Sequence, residues 1–498
     1  MPTTSSRNAL MGWLRNLFDK DRHAAKPSKK HKPKARSHTD TSDSDTFISS
    51  LNGPDPSPYD KSKPSETTRG PPPVNRPSIA IIGGGIAGLA LAIALTKRNV
   101  PCTVYEAGDS LATVGAGIGL GSNSLAALDL IDPRLRGLYD LAKTGNERDA
   151  FKNCVFDALL AEPGLGMYRE PPWRKGIVSA PYFERSSAHR KDLLNILESF
   201  VPEGTVKFSR RFSKATQLPN GKVEVLFEQG ERILVDAMIG CDGIYGASRK
   251  AVLGDIAPDA VPPSYCNMYI YRGIVPMPDA KSILGEHGGD SKRFMGRRRG
   301  AVIYPIARGC DANLMFYVRH DGEWTHGSRT VPCTREDMKR EFEGFDIRLM
   351  KLLETVEPVR WPVYTHRQTP TFYHGRMCLL GDVAHATSPH LAAGAGQSLE
   401  DVVVLANLLA LVRNPDQLET AFQVYDTVRR PRSTAVAESS YRAGLMYCFE
   451  GPEGDDMGRI VAQANRLFRD IWEHDLEADA REAERLFTKS LAAGDAKQ

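Results

Sequence analysis

Short apolar runs bounded by glycine or polar residues are the strongest pattern in the chain. Runs of this length are typical of strands buried on both faces of a parallel sheet. Strands are predicted at Ile79 to Ile82, Thr103 to Glu106, Ala237 to Gly240 and Met377 to Leu380. Apolar or small residues at helical spacing predict helices at Ala87 to Lys97, Ser187 to Phe200, about Gly396 to Val412, and Gly458 to Leu491. Together these elements predict an α/β fold.

A second pattern, with alternating apolar and polar positions, predicts antiparallel strands. Val206 to Phe208 and Val223 to Phe227 alternate in this way, with Pro219-Asn220-Gly221 as the intervening turn. The stretch from Tyr265 to about Val318 is also strand-like, with glycine-containing connections. A sheet-rich segment is therefore expected between the separated parts of the parallel sheet.

The N-terminal region differs in composition from the rest. Up to about Arg76 it is rich in Ser, Thr, Pro, Lys and Asp, a composition that indicates disorder. Residues 10–22 are the exception, because Leu10, Trp13, Leu14, Leu17 and Phe18 fall at helical spacing beside basic residues. This segment could make weak contact with a membrane surface or direct the chain to mitochondria, or it could be a fragment of a disordered tail.

Composition and charge limit the classes of protein to which the chain can belong. The 498 residues are 41% hydrophobic and carry a net charge of only +4, which gives no nucleic-acid signature. No stretch of eighteen apolar residues occurs, so no transmembrane helix is expected. The eight cysteines show no CxxC or paired spacing, which favours reduced thiols and a cytoplasmic location over disulfides or a metal site. The oligomeric state cannot be read from the sequence.

The first motif with a chemical implication follows the strand at Ile79. Gly83 permits a tight strand-to-helix turn, Gly85 allows the backbone to approach a pyrophosphate, and Gly88 allows the helix to pack closely on the sheet. Glu106 ends the next strand, where it can accept hydrogen bonds from ribose hydroxyls. The motif predicts a dinucleotide site and argues against NADP there, but it leaves NAD and FAD equally possible.

Two later segments decide between these cofactors. One runs from Gly240 to Arg249 and contains Asp242-Gly243; the other runs from Gly375 to Asp401 and contains Gly381-Asp382. With them, the chain resembles the FAD-dependent group A aromatic monooxygenases, and within these the fungal salicylate hydroxylase-like proteins. The resemblance extends from about Ser78 to about Lys489.

The resemblance implies a Rossmann-like (GR2-type) FAD-binding domain with an inserted mixed or antiparallel β-sheet substrate domain and C-terminal helices. The corresponding division of the chain is a tail at 1–76, a first FAD-binding part at 77–260, a substrate-binding sheet domain at 261–370, a second FAD-binding part at 371–412 and a helical region at 413–498.

The resemblance also implies roles for individual residues. Asp382 would accept hydrogen bonds from the ribityl hydroxyls of FAD, and Asp242 would lie near the pyrophosphate. Arg190 matches an arginine that reaches the flavin, and Gly119 matches the contacting position of a second glycine loop. Ala395, with the glycines on either side, would present the N-terminus of the long helix to the flavin pyrimidine.

The implied reaction is hydroxylation of a phenolic or salicylate-like small molecule, with NAD(P)H as reductant, O₂ as co-substrate and a flavin C4a-hydroperoxide as the oxygenating species. Arg272 and Tyr304 in the inserted sheet would orient the substrate, and His366 and His390 are further candidates for proton handling. No second dinucleotide fingerprint occurs, so NADH and NADPH remain alternatives.

Four positions depart from the pattern of the family. They are Gly246, Ser248, Thr365 and Ala392, of which Thr365 and Ala392 are expected close to the active site. These departures argue against transferring the exact salicylate reaction. The alternative is an FAD-dependent epoxidase or dehydrogenase of a secondary-metabolite pathway, whereas a non-catalytic FAD-fold protein is disfavoured by the intact motifs around Asp242 and Asp382. A flavin halogenase is disfavoured because no WxWxIP-like segment is present.

Overall fold

The computed structural model describes residues 76–111, 117–169, 176–180, 183–326 and 329–495. The tail and the amphipathic segment at 10–22 lie outside these residues. The described strands are β1 (Ile79–Ile82), β2 (Cys102–Tyr105), β3 (Gly117–Gly119), β4 (Cys154–Leu160), β5 (Gly176–Ser179), β6 (Ser187–His189), β7 (Val206–Lys207), β8 (Phe212–Gln217), β9 (Val223–Phe227), β10 (Arg232–Val235), β11 (Ala237–Gly240), β12 (Ser264–Pro276), β13 (Lys292–Gly296), β14 (Arg299–Ile306), β15 (Asp311–Arg319), β16 (Val331–Pro332), β17 (Val359–Thr365), β18 (Tyr373–His374) and β19 (Met377–Leu379).

The described α-helices fall between these strands and after the last of them. They are α1 (Ile86–Lys97), α2 (Ser122–Ile131), α3 (Pro133–Ala142), α4 (Arg190–Phe200), α5 (Ser248–Leu253), α6 (Met277–Leu284), α7 (Arg335–Glu341), α8 (Ile347–Leu353), α9 (Asp382–His385), α10 (Gly394–Leu411), α11 (Leu418–Tyr447), α12 (Met457–Trp472) and α13 (Leu476–Asp495). Within the described part of the chain, no helix is long and apolar enough to cross a membrane.

A six-stranded sheet in the order β18-β19-β11-β1-β2-β7 brings the predicted buried strands together. Strands β19, β11, β1, β2 and β7 are parallel, and their register places Ile82 beside both Tyr105 and Gly240, with Gly240 in turn beside Leu379. The carboxyl ends of β1, β2, β11 and β19 therefore meet at one edge, which is where open α/β sheets bind ligands.

The inserted region forms an eight-stranded mixed sheet in the order β16-β17-β12-β15-β14-β13-β4-β5. Helices α6, α7 and α8 contribute to an apolar core on this sheet, which includes Leu284, Leu314, Phe316, Phe342 and Leu352. The predicted fold class, a Rossmann-like FAD-binding architecture with an inserted sheet and C-terminal helices, is confirmed. The bounds of the predicted domains stay a prediction.

Some local predictions were wrong. The strand that pairs with Val223–Phe227 across the Pro219-Asn220-Gly221 turn is β8, whereas Val206–Lys207 pairs in parallel with β2. Ser187–His189 is a strand rather than the first turn of a helix, because it pairs with Gly117–Gly119. Helix α6 interrupts the stretch predicted to be entirely strand-like, since β12 ends at Pro276 and Pro278 lies in the first turn of that helix, where proline is tolerated.

Candidate active site

The glycine turn after β1 has the geometry that a dinucleotide site requires. Gly83 has φ +106°, which favours glycine, and its N–H donates to Tyr105 O at 2.9 Å. A Cβ on Gly88 would overlap Gly83 O, whereas a Cβ on Gly85 would meet no atom within 4 Å. The helix thus packs tightly on the turn while Gly85 borders open space. Glu106 closes the turn, since its carboxylate accepts from the N–H of Gly84 at 2.6 Å and of Gly108 at 2.8 Å.

The turn after β11 lies directly against this glycine turn. Both carboxylate oxygens of Asp242 are engaged by Ser248, one by its N–H at 3.0 Å and the other by its hydroxyl. A Cβ on Gly246 would overlap the same carboxylate. Two of the departures from the family pattern are therefore coupled, because Ser248 supplies a hydroxyl to Asp242 and Gly246 leaves room for it. Burial raises the pKa of Asp242 despite these hydrogen bonds.

Asp382 begins α9, just beyond the carboxyl end of β19. Solvent reaches Asp382 although Gly381, Val383 and Ala384 around it are buried, so its side chain faces an open cleft. The carboxylate lies deep in that cleft, and burial raises its pKa against the opposing charges of His385 and Arg190. Its Oδ1 also lies near the N-terminus of α10, where a Cβ on Gly394 would be 3.7 Å away.

The loop between α9 and α10 forms the opposite side of this cleft. Pro389 and Ala392 are exposed, whereas Leu391 and Ala393 between and beside them are buried. Ala392 has φ +49°, a left-handed conformation in which glycine is favoured, at the position where the family often has glycine. Ala395 lies in the first turn of α10, whose first amides have no partner within the helix.

The small sheet of β3 and β6 places two predicted residues at the cleft. Gly119 pairs with Ser187, and Arg190 begins α4 immediately after β6. The positive charge of Arg190 opposes the rise in the pKa of Asp382 that burial causes. The pKa of Arg272 is lowered, mainly by burial and further by the charge of Arg190. Arg190 therefore lies within electrostatic range of both the cleft carboxylate and the inserted sheet.

These features fit FAD. Gly85 borders open space for a pyrophosphate, Glu106 lies at the end of β2 for a ribose, and the accessible Asp382 lies beside the N-terminus of α10. Gly119 and Ala392, which are expected beside the flavin, lie next to each other, since a Cβ on Gly119 would be 3.9 Å from Ala392 Cβ.

Gly119 and Ala392 line a cavity of about 210 Å³. Its floor is one face of the inserted sheet. Arg272 pairs with Met315, Met315 with Val302, and Val302 with Arg293, so these four side chains form one row across β12, β15, β14 and β13. The neighbouring row contributes Asn313, Tyr304 and Ser291, and all seven residues line the cavity.

Arg272 and Tyr304, the two predicted substrate residues, thus share one cavity wall. The guanidinium of Arg272 stacks on the indole of Trp361, with 3.9 Å between Cζ and the ring centroid. The hydroxyl of Tyr304 lies against Gly117, whose N–H donates to Asn313 Oδ1 at 2.8 Å. Burial raises the pKa of Tyr304, and the charge of Arg185 over its ring opposes the shift.

Three cavity residues were not found from the sequence. Arg185 donates to Ser187 Oγ at 2.8 Å and Val155 O at 3.1 Å. Arg293 lies on the floor, and Trp472 of α12 stacks on Phe183 with ring centroids 4.3 Å apart. Their only sequence signal was period-two spacing within β13 for Arg293. The other two depend on contacts between segments distant along the chain.

The remaining candidates divide into residues inside and outside the cavity. His390 lines it, and burial with the charge of Arg293 lowers the pKa of His390 to about 3. His366 is buried against Ile244 O at 2.9 Å, and its pKa is lowered to about 4 by burial and Arg249. Ala392 lines the cavity as expected, but Thr365 does not, because it packs at the end of β17 against Cys266.

The run Arg297-Arg298-Arg299 lies at the tip of the β13–β14 hairpin. Arg298 pairs with Asp321 and Glu450, and Arg299 donates to the carbonyl oxygens of Glu341 and Glu343. Arg297 is exposed and is not part of the cavity floor.

A dinucleotide-binding turn on a parallel sheet, together with a cavity on an inserted sheet, is the arrangement expected of a flavin-dependent oxidoreductase. A family profile described as an FAD binding domain matches residues 76–440. An FAD-dependent monooxygenase of Gibberella moniliformis is 37% identical over 426 residues, covering 82% of this chain and 96% of the relative. The chain belongs to the FAD-dependent monooxygenase family.

Two further similarities place it near aromatic hydroxylases. A 6-methylsalicylate 1-monooxygenase of Aspergillus terreus is 31% identical over 422 residues, covering 83% of this chain and 93% of the relative. A solved salicylate hydroxylase in complex with substrate matches with a TM-score of 0.72 and 28% identity, covering 82% of this chain and 98% of that one. The predicted family, its monooxygenase activity and its FAD cofactor are confirmed.

Proposed function

We propose that the enzyme hydroxylates a phenolic or salicylate-like small molecule with NAD(P)H and O₂. The observation that carries this proposal is the cavity at the end of the dinucleotide cleft, whose floor combines Arg272 and Tyr304 with the apolar side chains of Met315 and Val302. An aromatic ring fits an apolar floor, and a phenolic oxygen fits a cation and a hydroxyl at its side.

Bound FAD, once reduced by NAD(P)H, supplies the activated oxygen. Asp382 and Glu106 would hold the ribityl and ribose hydroxyls, and Asp242 would lie near the pyrophosphate. Arg190 and Gly119 would contact the flavin, and the amides around Ala395 at the start of α10 would stabilise negative charge on its pyrimidine. These roles are supported by the solvent-accessible position of Asp382 next to Gly394 at the start of α10, and by Gly119 and Ala392 in the cavity wall.

The residues of the cavity make the substrate electron-rich and hold it in place. Arg272 is permanently charged and half-buried, so its attraction to a phenolate oxygen is stronger than in water. Tyr304 stays protonated because burial raises its pKa, and it can therefore donate a hydrogen bond to the same oxygen. Arg185 lies over the Tyr304 ring, 4.7 Å from its centroid, and fixes its orientation.

The reaction is tested by mixing the purified protein with ¹⁸O₂, NADH or NADPH, and a panel of phenols that includes salicylate and 6-methylsalicylate. We expect a product that carries one ¹⁸O atom, and faster consumption of one of the two nicotinamides. Nicotinamide oxidation that yields no oxygenated product with any phenol would contradict hydroxylation and favour a dehydrogenase. Epoxidation would appear as an ¹⁸O product that is opened by water or thiols.

We also propose a reducing compartment, such as the cytoplasm. All eight cysteines are free thiols, and Cys154, Cys241, Cys266, Cys378 and Cys448 are buried. Burial raises the pKa of Cys241 and Cys378, which keeps both thiols protonated and unreactive. Localisation of a fluorescent fusion of the full chain, compared with a fusion lacking residues 1–76, tests the compartment and the role of the basic segment together.

A further inference from the structure

The cavity floor has a cation at each end. Adjacent strands of a sheet lie about 4.8 Å apart, so the three spacings from β12 to β13 separate the Cα atoms of Arg272 and Arg293 by about 14 Å. Arg272 stacks on Trp361 of β17, which flanks β12 on the side away from β15, and Arg293 stacks on Phe156 of β4, which flanks β13 on the side away from β14.

Arg293 has unmet hydrogen-bonding capacity. It is only 5% exposed, and among the described residues neither its Nε nor its Nη1 has a hydrogen-bond partner. Its Nη2 donates to His390 O at 3.3 Å, the Tyr317 hydroxyl also interacts with its guanidinium, and the ring of Tyr447 lies 3.9 Å from its Cζ. Buried polar groups are nearly always hydrogen-bonded in proteins, so Arg293 keeps unused donor capacity at the wall of the cavity.

The surroundings of Arg293 favour an anion as that partner. The residues that line the cavity include three arginines, Arg185, Arg272 and Arg293, and no Asp or Glu. None of the three forms an ion pair with any described carboxylate. Next to Arg293, His390 Nδ1 and the Tyr447 hydroxyl also lack partners among the described residues, and both can donate a hydrogen bond to an acidic oxygen.

We propose that Arg293 binds a carboxylate of the substrate that is remote from the hydroxylated ring position, so that the substrate spans the floor from Arg272 to Arg293. This inference rests on the proposed function for the phenolic end at Arg272 and extends it at the other end. The substrate class is then an aryl acid longer than one ring, with its apolar part over Met315 and Val302. In salicylate the two oxygen groups are adjacent, so one salicylate cannot engage both cations.

The test compares four ligands on the FAD-loaded protein: 6-hydroxy-2-naphthoate, its carboxamide, 2-naphthol and salicylate. Dissociation constants come from the perturbation of the flavin absorbance, which requires no turnover. A charged hydrogen bond in a buried site corresponds to roughly ten- to hundredfold in affinity. We expect 6-hydroxy-2-naphthoate to bind the wild-type protein at least tenfold more tightly than each of the other three ligands.

The variant Arg293→Gln should remove this preference while leaving the affinity for 2-naphthol within about twofold. Arg293→Lys should restore part of it, because it keeps the charge but loses the planar fork. Arg297→Gln, an exposed arginine on the adjacent hairpin tip, is the matched control and should change nothing. If Arg293→Gln lowered the affinities for 6-hydroxy-2-naphthoate and 2-naphthol equally, the role of Arg293 would be structural and the proposal would be overturned.

The ligand affinities of the wild-type protein test the proposal even if Arg293→Gln does not fold. Equal affinities for the naphthoate and its carboxamide would mean that the donors of Arg293 meet ordered water, and would overturn the proposal. Tighter binding of salicylate than of naphthoate would also overturn it. Strong preference for the naphthoate without any oxygenated product would instead leave this subsite in place and count against hydroxylation.

Discussion

A side chain on Gly88 would overlap the carbonyl oxygen of Gly83, because the first turn of α1 packs directly on the glycine turn. Gly88→Ala should therefore displace the helix or the turn and lower the free energy of unfolding by about 1–3 kcal/mol. Thermal unfolding of the purified variant measures this loss. An unchanged melting temperature would show that the helix does not pack as described.

Gly85→Ala is the matched control and carries a separate prediction. A Cβ at this position meets no atom within 4 Å, and its φ of −76° is open to any residue. The folded protein should keep its melting temperature without cofactor, whereas its affinity for FAD should fall because the methyl group projects into the space for the pyrophosphate. A titration of the apoprotein with FAD checks the second half, and wild-type affinity would contradict our placement of the cofactor.

Asp382→Ala should weaken FAD binding by roughly ten- to hundredfold, the range of one charged hydrogen bond. The carboxylate faces the cleft beside the N-terminus of α10, and alanine leaves the ribityl hydroxyls without that acceptor. The flavin-to-protein absorbance ratio after purification measures occupancy. Asp255→Ala, at an exposed position after α5, serves as the control and should stay fully loaded.

Arg272→Ala should raise the KM for the aromatic substrate by roughly ten- to hundredfold while FAD stays bound, because the guanidinium lies on the cavity floor rather than in the dinucleotide cleft. Steady-state kinetics together with the flavin content separate these two effects. Unchanged kinetics would remove Arg272 from the substrate site, and loss of flavin would move it to the cofactor site.

A buried ionic cluster below the start of α10 gives a prediction for acid stability. Arg429 donates to Asp401 Oδ1 at 2.9 Å and pairs with Glu400 at 2.9 Å, and His385 bonds Asp401 Oδ2 at 2.5 Å. Burial would raise the pKa of Asp401, but the charges of His385 and Arg429 lower it below 3.8. The stabilisation is therefore present above about pH 4 and is lost as the pH falls through the lowered pKa.

In Asp401→Asn, the deficit in unfolding free energy relative to wild type should accordingly shrink as the pH falls below about 4. Arg429→Met should cost about 3–5 kcal/mol at neutral pH, since it leaves two carboxylates buried without their cation. Urea unfolding at several pH values measures both. A deficit for Asp401→Asn that does not change with pH would show that Asp401 is not charged in the native protein.

The glycine turn after β1 could be predicted from the sequence because its signals are local. Gly83, Gly88 and Glu106 lie within one βαβ unit, where spacing along the chain determines position in space. The cavity floor was predicted only in part. Arg272 and Tyr304 came from the family resemblance, whereas Arg293 requires the knowledge that β13 lies between β14 and β4, which is a matter of sheet order.

The same limit explains the local errors. Ser187–His189 has a helical pattern with the residues after it, but its pairing with Gly117–Gly119 fixes it as a strand. Trp472 belongs to a helix that was predicted as amphipathic, yet its contact with Phe183 depends on how α12 folds back on β5. Neither contact can be predicted from the spacing of residues within one segment, because each joins two segments that are distant along the chain.

The parallel order β19-β11-β1-β2 has a consequence for how the protein is made. Strand β1 is among the first elements translated, yet β11 follows after more than 150 residues and β19 only near residue 377. Such long-range pairing is slow because loop closure precedes any gain from contact. During translation the cofactor site cannot form until most of the chain has left the ribosome. FAD is therefore expected to bind only the completed fold and to stabilise it after folding.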